Sequence, residues 1–317
     1  MEGGAMFDVL IIGGGFSGLS VAATLARQSH TALIFDSGSY RNARSNHMHI
    51  MPTWDHKDPE QFRTTARSEL EMYDTIQIRQ VEVKGLRKTD EGLFEATDAT
   101  GEVWRGRKVV LATGVEDQYP DIQGYDECWA RAIYHCLFCH GYEQRGAESA
   151  GILAVDLIAS AQKARQMARM ASSLVRSVTI YTNANKGLAE QIAAALQGFE
   201  HYCVDDRAIS KLSLTAGSDQ SVKISFKDGS EEKREAFLVH SPITRAKGPF
   251  AQQLGLELTP TGDYAVLPPF NATSVNGVYA VGDCMTMFKV ATNAVASGSM
   301  TGAGVSGKLH EEQEQQD

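Results

Sequence analysis

The chain opens on a short apolar run. Phe7-Asp8-Val9-Leu10-Ile11-Ile12 is rich in β-branched residues and stops at Gly13-Gly14-Gly15-Phe16-Ser17-Gly18. An apolar run of that length bounded by glycines predicts a buried strand. Leu19 through Ala26 follows as a helix-like stretch, and Thr31 to Phe35 reads as a second strand ending on Asp36. Further on, Val109 to Leu111, Val178 to Tyr181 and Val278 to Val281 are strand-like. Ala164, Met167, Ala168, Met170 and Ala171 recur at the spacing of one helix face, which predicts core packing for both methionines. The order of strand, glycine turn, helix and strand predicts an α/β fold.

That order also carries chemistry. In a strand-turn-helix unit Gly13 permits the tight turn, Gly15 lets backbone N–H groups approach a pyrophosphate, and Gly18 lets helix and strand pack closely. Gly14, Phe16 and Ser17 complete the loop, and Asp36 stands where an acid can accept the hydroxyl bonds of a ribose. A dinucleotide site is therefore expected here.

Composition narrows the partners. The 317 residues include 30 Lys and Arg against 39 Asp and Glu, a net charge of -9 that disfavours unspecific attraction to nucleic acid or anionic membrane. No apolar run reaches membrane-spanning length, and Met1 to Met6 lacks the basic start of a secretory signal. A soluble protein in the reducing cytoplasm is expected, with a small-molecule or protein partner. Five cysteines in such a chain do not suggest a disulfide scaffold, and only Cys136 and Cys139 have redox spacing. Cys128, Cys203 and Cys284 are expected to be small core residues. The pair in Cys136-Leu137-Phe138-Cys139-His140 can close into a disulfide and reopen. A thiol with a pKa near 8.5 needs help to deprotonate, and His140 is the nearest candidate base, with His135 as a weaker one. His47 and His49 form an HxH with no adjacent Cys or acid cluster, so no metal is expected.

Val278-Tyr279-Ala280-Val281-Gly282-Asp283 resembles the second FAD signature of the pyridine nucleotide-disulfide oxidoreductases, and Val109 to Gly114 resembles their strand-plus-ATG element, with Ala112 and Gly114 beside the cofactor. The position of the CxxC after that element resembles the low-molecular-weight thioredoxin reductases. The resemblance implies a thioredoxin-reductase-like architecture. A discontinuous FAD domain over residues 1–122 and 246–317 would be interrupted by a smaller CxxC-bearing domain over 123–245, with crossings at Tyr119-Pro120 and Gly124 and at Ser241-Pro242 to Gly248-Pro249. Homodimerisation is implied by the same resemblance.

The inserted domain departs from the reductases. Where they carry a second glycine-rich turn for NADPH, this chain has Gly151-Ile152-Leu153-Ala154-Val155-Asp156-Leu157-Ile158-Ala159-Ser160, with no glycine after Gly151, which is expected to precede the strand. Val155 and Ile158 would obstruct a pyrophosphate and Asp156 would repel it. After Tyr181, where the reductases place arginines for the 2′-phosphate, stands Thr182-Asn183-Ala184-Asn185.

With that site disabled, electrons would enter from an external dithiol. Phe35-Asp36-Ser37-Gly38, Tyr40-Arg41-Asn42-Ala43, His47-Met48-His49, Gly106 to Val115, Cys128-Trp129, Tyr134 to Cys139 and Gly141-Tyr142-Glu143 resemble the FAD-dependent dithiol oxidases of gliotoxin-type biosynthesis, which close the transannular disulfide of epidithiodiketopiperazines. The resemblance implies Cys139 as the thiol facing the flavin, Cys136 as the one exchanging with substrate, and dioxygen as acceptor, giving hydrogen peroxide. It places Ser37, Tyr40, Arg41 and His49 near FAD, and the turn at Val290-Ala291 at the start of a helix pointing at the flavin. The alternatives are an NADPH-dependent reductase and a flavin-bound thiol sensor without turnover.

Overall fold

The computed structural model describes residues 6–215 and 221–315. In chain order its principal elements are β1 (Met6–Ile12), α1 (Phe16–Ala26), β2 (Ala32–Phe35), α2 (Pro59–Leu70), β3 (Ile76–Arg79), β4 (Val83–Lys88), β5 (Phe94–Asp98), β6 (Val103–Leu111), β7 (Val115–Gln118), α3 (Tyr125–Cys128), β8 (Ile133–Tyr134), β9 (Ala147–Leu153), α4 (Ala161–Ala171), β10 (Val175–Tyr181), α5 (Lys186–Ala195), β11 (Tyr202–Asp205), β12 (Ile209–Leu214), β13 (Val222–Phe226), β14 (Lys233–Glu235), β15 (Leu238–Val239), β16 (Ile243–Ala246), α6 (Phe250–Leu254), β17 (Val278–Ala280) and α7 (Ala291–Glu314). The chain divides into two compact units, Met1–Glu116 with Thr244–Asp317, and Asp117–Ile243. The first crossing falls within β7, a few residues ahead of Tyr119-Pro120, and the second within β16, inside the expected stretch from Ser241 to Pro249; β7 and β16 pair as a two-stranded sheet.

The first unit is built on a seven-stranded sheet of order β3-β2-β1-β6-β5-β4, with β17 also pairing with β6. β1 is parallel to β2 and to β6. Val9 to Ile12 are apolar and buried because both faces of the strand are covered there, whereas Asp8 near its start accepts from the Thr31 amide at 2.9 Å. Leu10 and Ile12 join one core with Leu33, Phe35 and Leu111, whereas Val9 and Ile11 join the other with Leu19, Val110, Val305 and Leu309. α7 lies against α1 through small residues. A Cβ on Gly298 would stand 2.3 Å from the Ser17 carbonyl oxygen, and one on Gly302 would stand 2.7 Å from Thr24 Cβ.

The second unit has a five-stranded parallel sheet, β11-β10-β9-β15-β8, and an antiparallel sheet, β12-β13-β14. Its α4 buries Ala164, Ala168 and Ala171, with Met167 packed beside them. Gly151 lies inside β9 rather than before it. A Cβ there would stand 2.3 Å from Leu238 and 2.8 Å from Tyr181, so this glycine makes room for neighbouring strands. Cys128 and Cys284 are buried, but Cys203 is exposed, because β11 is an edge strand.

Candidate active site

The glycine loop joins β1 to α1. Gly13 has φ +122°, and a Cβ on it would stand 2.2 Å from the Ala112 carbonyl oxygen; a Cβ on Gly18 would stand 1.9 Å from the Gly13 carbonyl oxygen. Neither position admits a side chain. Gly15 differs, since a Cβ there would meet nothing within 4 Å among the described residues. Gly15 is also the N-cap of α1, and no described side chain caps that helix. An uncapped helix start with open space at Gly15, at the positive end of a helix dipole, is the chemistry that receives a phosphate. Phe16 and Ser17 are buried in the first turn.

Asp36 follows β2 and folds over this loop, its Oδ2 standing 2.3 Å from where a Gly14 Cβ would be. Its carboxylate accepts from the Gly38 amide at 2.9 Å, from the Tyr40 hydroxyl at 2.6 Å and from Arg67. Burial, with the Asp36 hydrogen bond, pushes the Tyr40 phenol up to about 12. Burial works against the Arg67 cation, yet Tyr40 and Asp36 outweigh it and raise its pKa. Ser37 is exposed beside the pair. Arg67, with Arg63 stacked 4.0 Å from the Tyr40 ring, escaped the sequence reading. Their i,i+4 spacing on α2 was the one available signal, and it does not say which loop they face.

The other sequence-predicted residues of this unit gather at the ends of neighbouring strands. Ala112 and Gly114 follow β6, and Gly114 has φ +66°. Gly282 follows β17 with φ +74°, and its N–H donates to Ser297 Oγ at 3.1 Å. Arg41 reaches Asp283 at 3.3 Å, joining the loop after β2 to the Gly-Asp turn. Val290 is the N-cap of α7 and Ala291 its first residue, as expected. His49 Nδ1 lies 3.1 Å from Asp55 Oδ1. These residues fit a dinucleotide: the open Gly15 cradle suits the pyrophosphate, and Asp36 suits a ribose.

The cysteine pair belongs to the other unit. It follows β8, and Cys136 and Cys139 are joined as a disulfide with their Cα atoms 5.2 Å apart. The amides of Cys139 and His140 both donate to the Cys136 carbonyl at 3.1 Å, so the segment makes one tight turn. Gly141 continues it at φ +107°. Both cysteines are partly accessible, and Phe138 between them is 68 % exposed. The His140 ring lies 5.1 Å from that of Tyr134, and His135 stacks on Trp129 at 5.8 Å. Burial pushes the Tyr134 phenol up to about 12.

The turn after β9 contrasts with the one after β1. Asp156–Ile158 forms a 3-10 turn, Asp156 takes φ +49°, and Ile158 is buried in the core. Ser160 caps α4 by accepting from the Lys163 amide at 3.3 Å. Asp156 Oδ2 lies 3.4 Å from Nε2 of His240, which is fully buried and bonded to the Tyr125 hydroxyl at 2.6 Å. Beyond β11, Arg207 forks onto Asp205 and stacks 3.6 Å from the Phe226 ring. Burial opposes the Asp205 charge, but the Arg207 hydrogen bonds prevail and hold the carboxyl below its usual range.

A fold of this kind, with a glycine cradle on one unit and a CxxC disulfide on the other, defines a flavoprotein disulfide oxidoreductase. Residues 7–298 match the family described as pyridine nucleotide-disulphide oxidoreductase, and the chain belongs to that family. It is 43% identical over 307 residues to thioredoxin reductase aclD of Aspergillus oryzae, covering 96% of each chain. It is 45% identical over 305 residues to thioredoxin reductase tcpT of Claviceps purpurea, covering 95% of this chain and 94% of that one. Among solved structures, HlmI aligns with a TM-score of 0.86 at 26% identity, over 100% of this chain and 96% of that one. Thioredoxin-reductase-like members of this family are FAD-binding flavoproteins, and FAD is the cofactor of this chain. No described helix is long and apolar enough to cross a membrane.

Proposed function

We propose that the protein is a dithiol oxidase, which converts a small-molecule dithiol into an intramolecular disulfide with dioxygen as acceptor. The observation that carries this reading is the contrast between the two nucleotide-type turns. The start of α1 is uncapped and open at Gly15, whereas the start of α4 is capped by Ser160 and preceded by a turn that buries Ile158 and pairs Asp156 with His240. A dinucleotide phosphate needs free N–H groups at a helix start, and the Ser160 cap and the neighbouring Asp156 carboxylate disfavour one at α4. Electrons then enter through the dithiol rather than from a nicotinamide.

In this reading a substrate thiolate attacks Cys136 Sγ and breaks the Cys136 to Cys139 bond, releasing Cys139 as thiolate. The second substrate thiolate attacks the substrate sulfur of the mixed disulfide, closing the ring and releasing Cys136. The substrate has lost two electrons and two protons, and the enzyme holds a dithiol. His140 takes up a proton in these steps, since an imidazole titrates near neutrality. Gly13, Gly14, Gly15, Gly18, Asp36 and Asp283 would hold FAD, which would supply a two-electron acceptor for the enzyme dithiol, with dioxygen as final acceptor and hydrogen peroxide as the product. The exposed Phe138 beside the pair offers an apolar contact suited to a small substrate such as an epidithiodiketopiperazine.

The names of the relatives favour a second reading, an NADPH-dependent reductase. Anaerobic flavin absorbance separates the two. Bleaching by a reduced epidithiodiketopiperazine and not by NADPH, reversed by air with peroxide release, is the expected result. Rapid bleaching by NADPH overturns it. Bleaching by neither leaves a flavin-bound thiol sensor.

A further inference from the structure

We infer that the loop between β2 and α2 carries a transition-metal site, with Asp55 and the imidazoles of His49 and His56 as ligands and Zn²⁺ as the fitting ion. The loop is clasped at its base by Met48 and Lys57, whose backbones bond at 2.9 Å. Between them Ile50, Thr53 and His56 all take positive φ, values of 56°, 71° and 63° that non-glycine residues rarely adopt. This backbone folds the chain back so that Asp55 stands between the two histidines. Its Oδ1 lies 3.1 Å from His49 Nδ1 and its Oδ2 lies 3.1 Å from His56 Nε2. One ligand atom from each of the three residues falls within 4.8 Å of the others.

Two imidazole nitrogens and one carboxylate oxygen suit Zn²⁺ better than Mg²⁺ or Ca²⁺, which prefer oxygen. Tetrahedral bonds of about 2.1 Å put ligand atoms roughly 3.4 Å apart. The two 3.1 Å contacts to Asp55 lie near that spacing, and the His56 ring, 74 % exposed, is surrounded by solvent rather than packing. The His47 ring, with its centroid 5.1 Å from that of His49, is the nearest further imidazole. His49 would bind through Nδ1, leaving Nε2 for its expected place near FAD. The HxH of His47 and His49 discouraged a metal because no acid adjoins it in sequence; Asp55 is brought to it by the loop. This inference is independent of the dithiol-oxidase reading.

Zn²⁺ titration of the FAD-loaded protein by calorimetry tests the site. The Cys136 to Cys139 disulfide is kept closed and the exposed Cys203 replaced by Ser, so that accessible thiolates do not compete. One equivalent of Zn²⁺ per chain is expected, weakened at least about tenfold by Asp55→Asn and by His56→Asn, each retaining its FAD. Asn is chosen at position 56 because it tolerates positive φ. Co²⁺ added to the same protein should give visible d–d absorption that His56→Asn abolishes. Absence of stoichiometric Zn²⁺ binding, or binding that both variants leave unchanged, overturns the site.

Discussion

His30 shows how a single residue ties stability to pH. Its Nε2 bonds Ser306 Oγ at 2.8 Å, joining α7 to the loop before β2, and its ring lies 4.8 Å from that of His310. Burial lowers its pKa from 6.5, partly opposed by Asp8, while His310 and Arg107 lower it further. The folded state therefore binds less proton than the unfolded chain as pH falls below 6.5, and stability declines there until the folded pKa is also passed. Above 6.5 both states hold a neutral ring and the contribution is level. Urea midpoints measured from pH 7 to pH 5 should fall, and His30→Gln should flatten part of that fall. An equal fall in wild type and variant would remove His30 as a source.

At the same scale the cysteines divide labour that the fold alone does not. Cys136→Ser or Cys139→Ser should abolish dithiol oxidation while leaving FAD absorbance intact, because the glycine cradle and the cysteine turn belong to separate units. Full activity in either variant would sink the mechanism. His140→Ala should slow turnover most toward pH 6.5, where thiols are least ionised. An unchanged pH profile would exclude it as the base.

At the scale of elements, α7 meets α1 on glycine. The Gly298 Cβ position, 2.3 Å from the Ser17 carbonyl oxygen and 2.9 Å from Ser20 Cβ, leaves no room for a methyl group unless the helices separate. Gly298→Ala should cost about 1–3 kcal/mol, the range of overpacking, despite the better helix propensity of alanine. Denaturant unfolding checks this. Gly307 on the same helix meets nothing within 4 Å, so Gly307→Ala should be neutral or stabilising. The small residues Ser297-Gly298-Ser299 and Gly302 permit this approach, yet α1, the helix they meet, lies at the other end of the chain.

At the scale of the molecule, Asp117–Ile243 is one uninterrupted segment with hydrophobic cores of its own. One joins Ile152, Val178 and Ile192; the other joins Tyr125, Leu212 and Ile224. Expressed alone, residues 117–243 should unfold cooperatively by circular dichroism and bind no FAD. A disordered fragment would show that the cores do not suffice. The first unit has no such freedom, because β17 pairs with β6 and Val305 and Leu309 fill the core around β1. Removing residues after 290 should leave it unfolded.

Local chemistry was legible along the chain. The β1 run, the glycine loop, Asp36, the CxxC and the Gly282-Asp283 turn each consist of neighbouring residues whose types and spacing define their conformation, so sequence alone determined the α/β class, the glycine turn at the start of α1 and the close pairing of Cys136 with Cys139. Contacts between distant residues were not. The sequence placed Gly151 before its strand, buried Cys203, and was silent on Arg67 at Asp36, on His240 at Asp156 and on Asp55 between two histidines. Each of those depends on which strands adjoin, which edge is left open and where a left-handed loop returns. Such facts arise only when segments far apart in sequence are packed together, and the tertiary structure decided them.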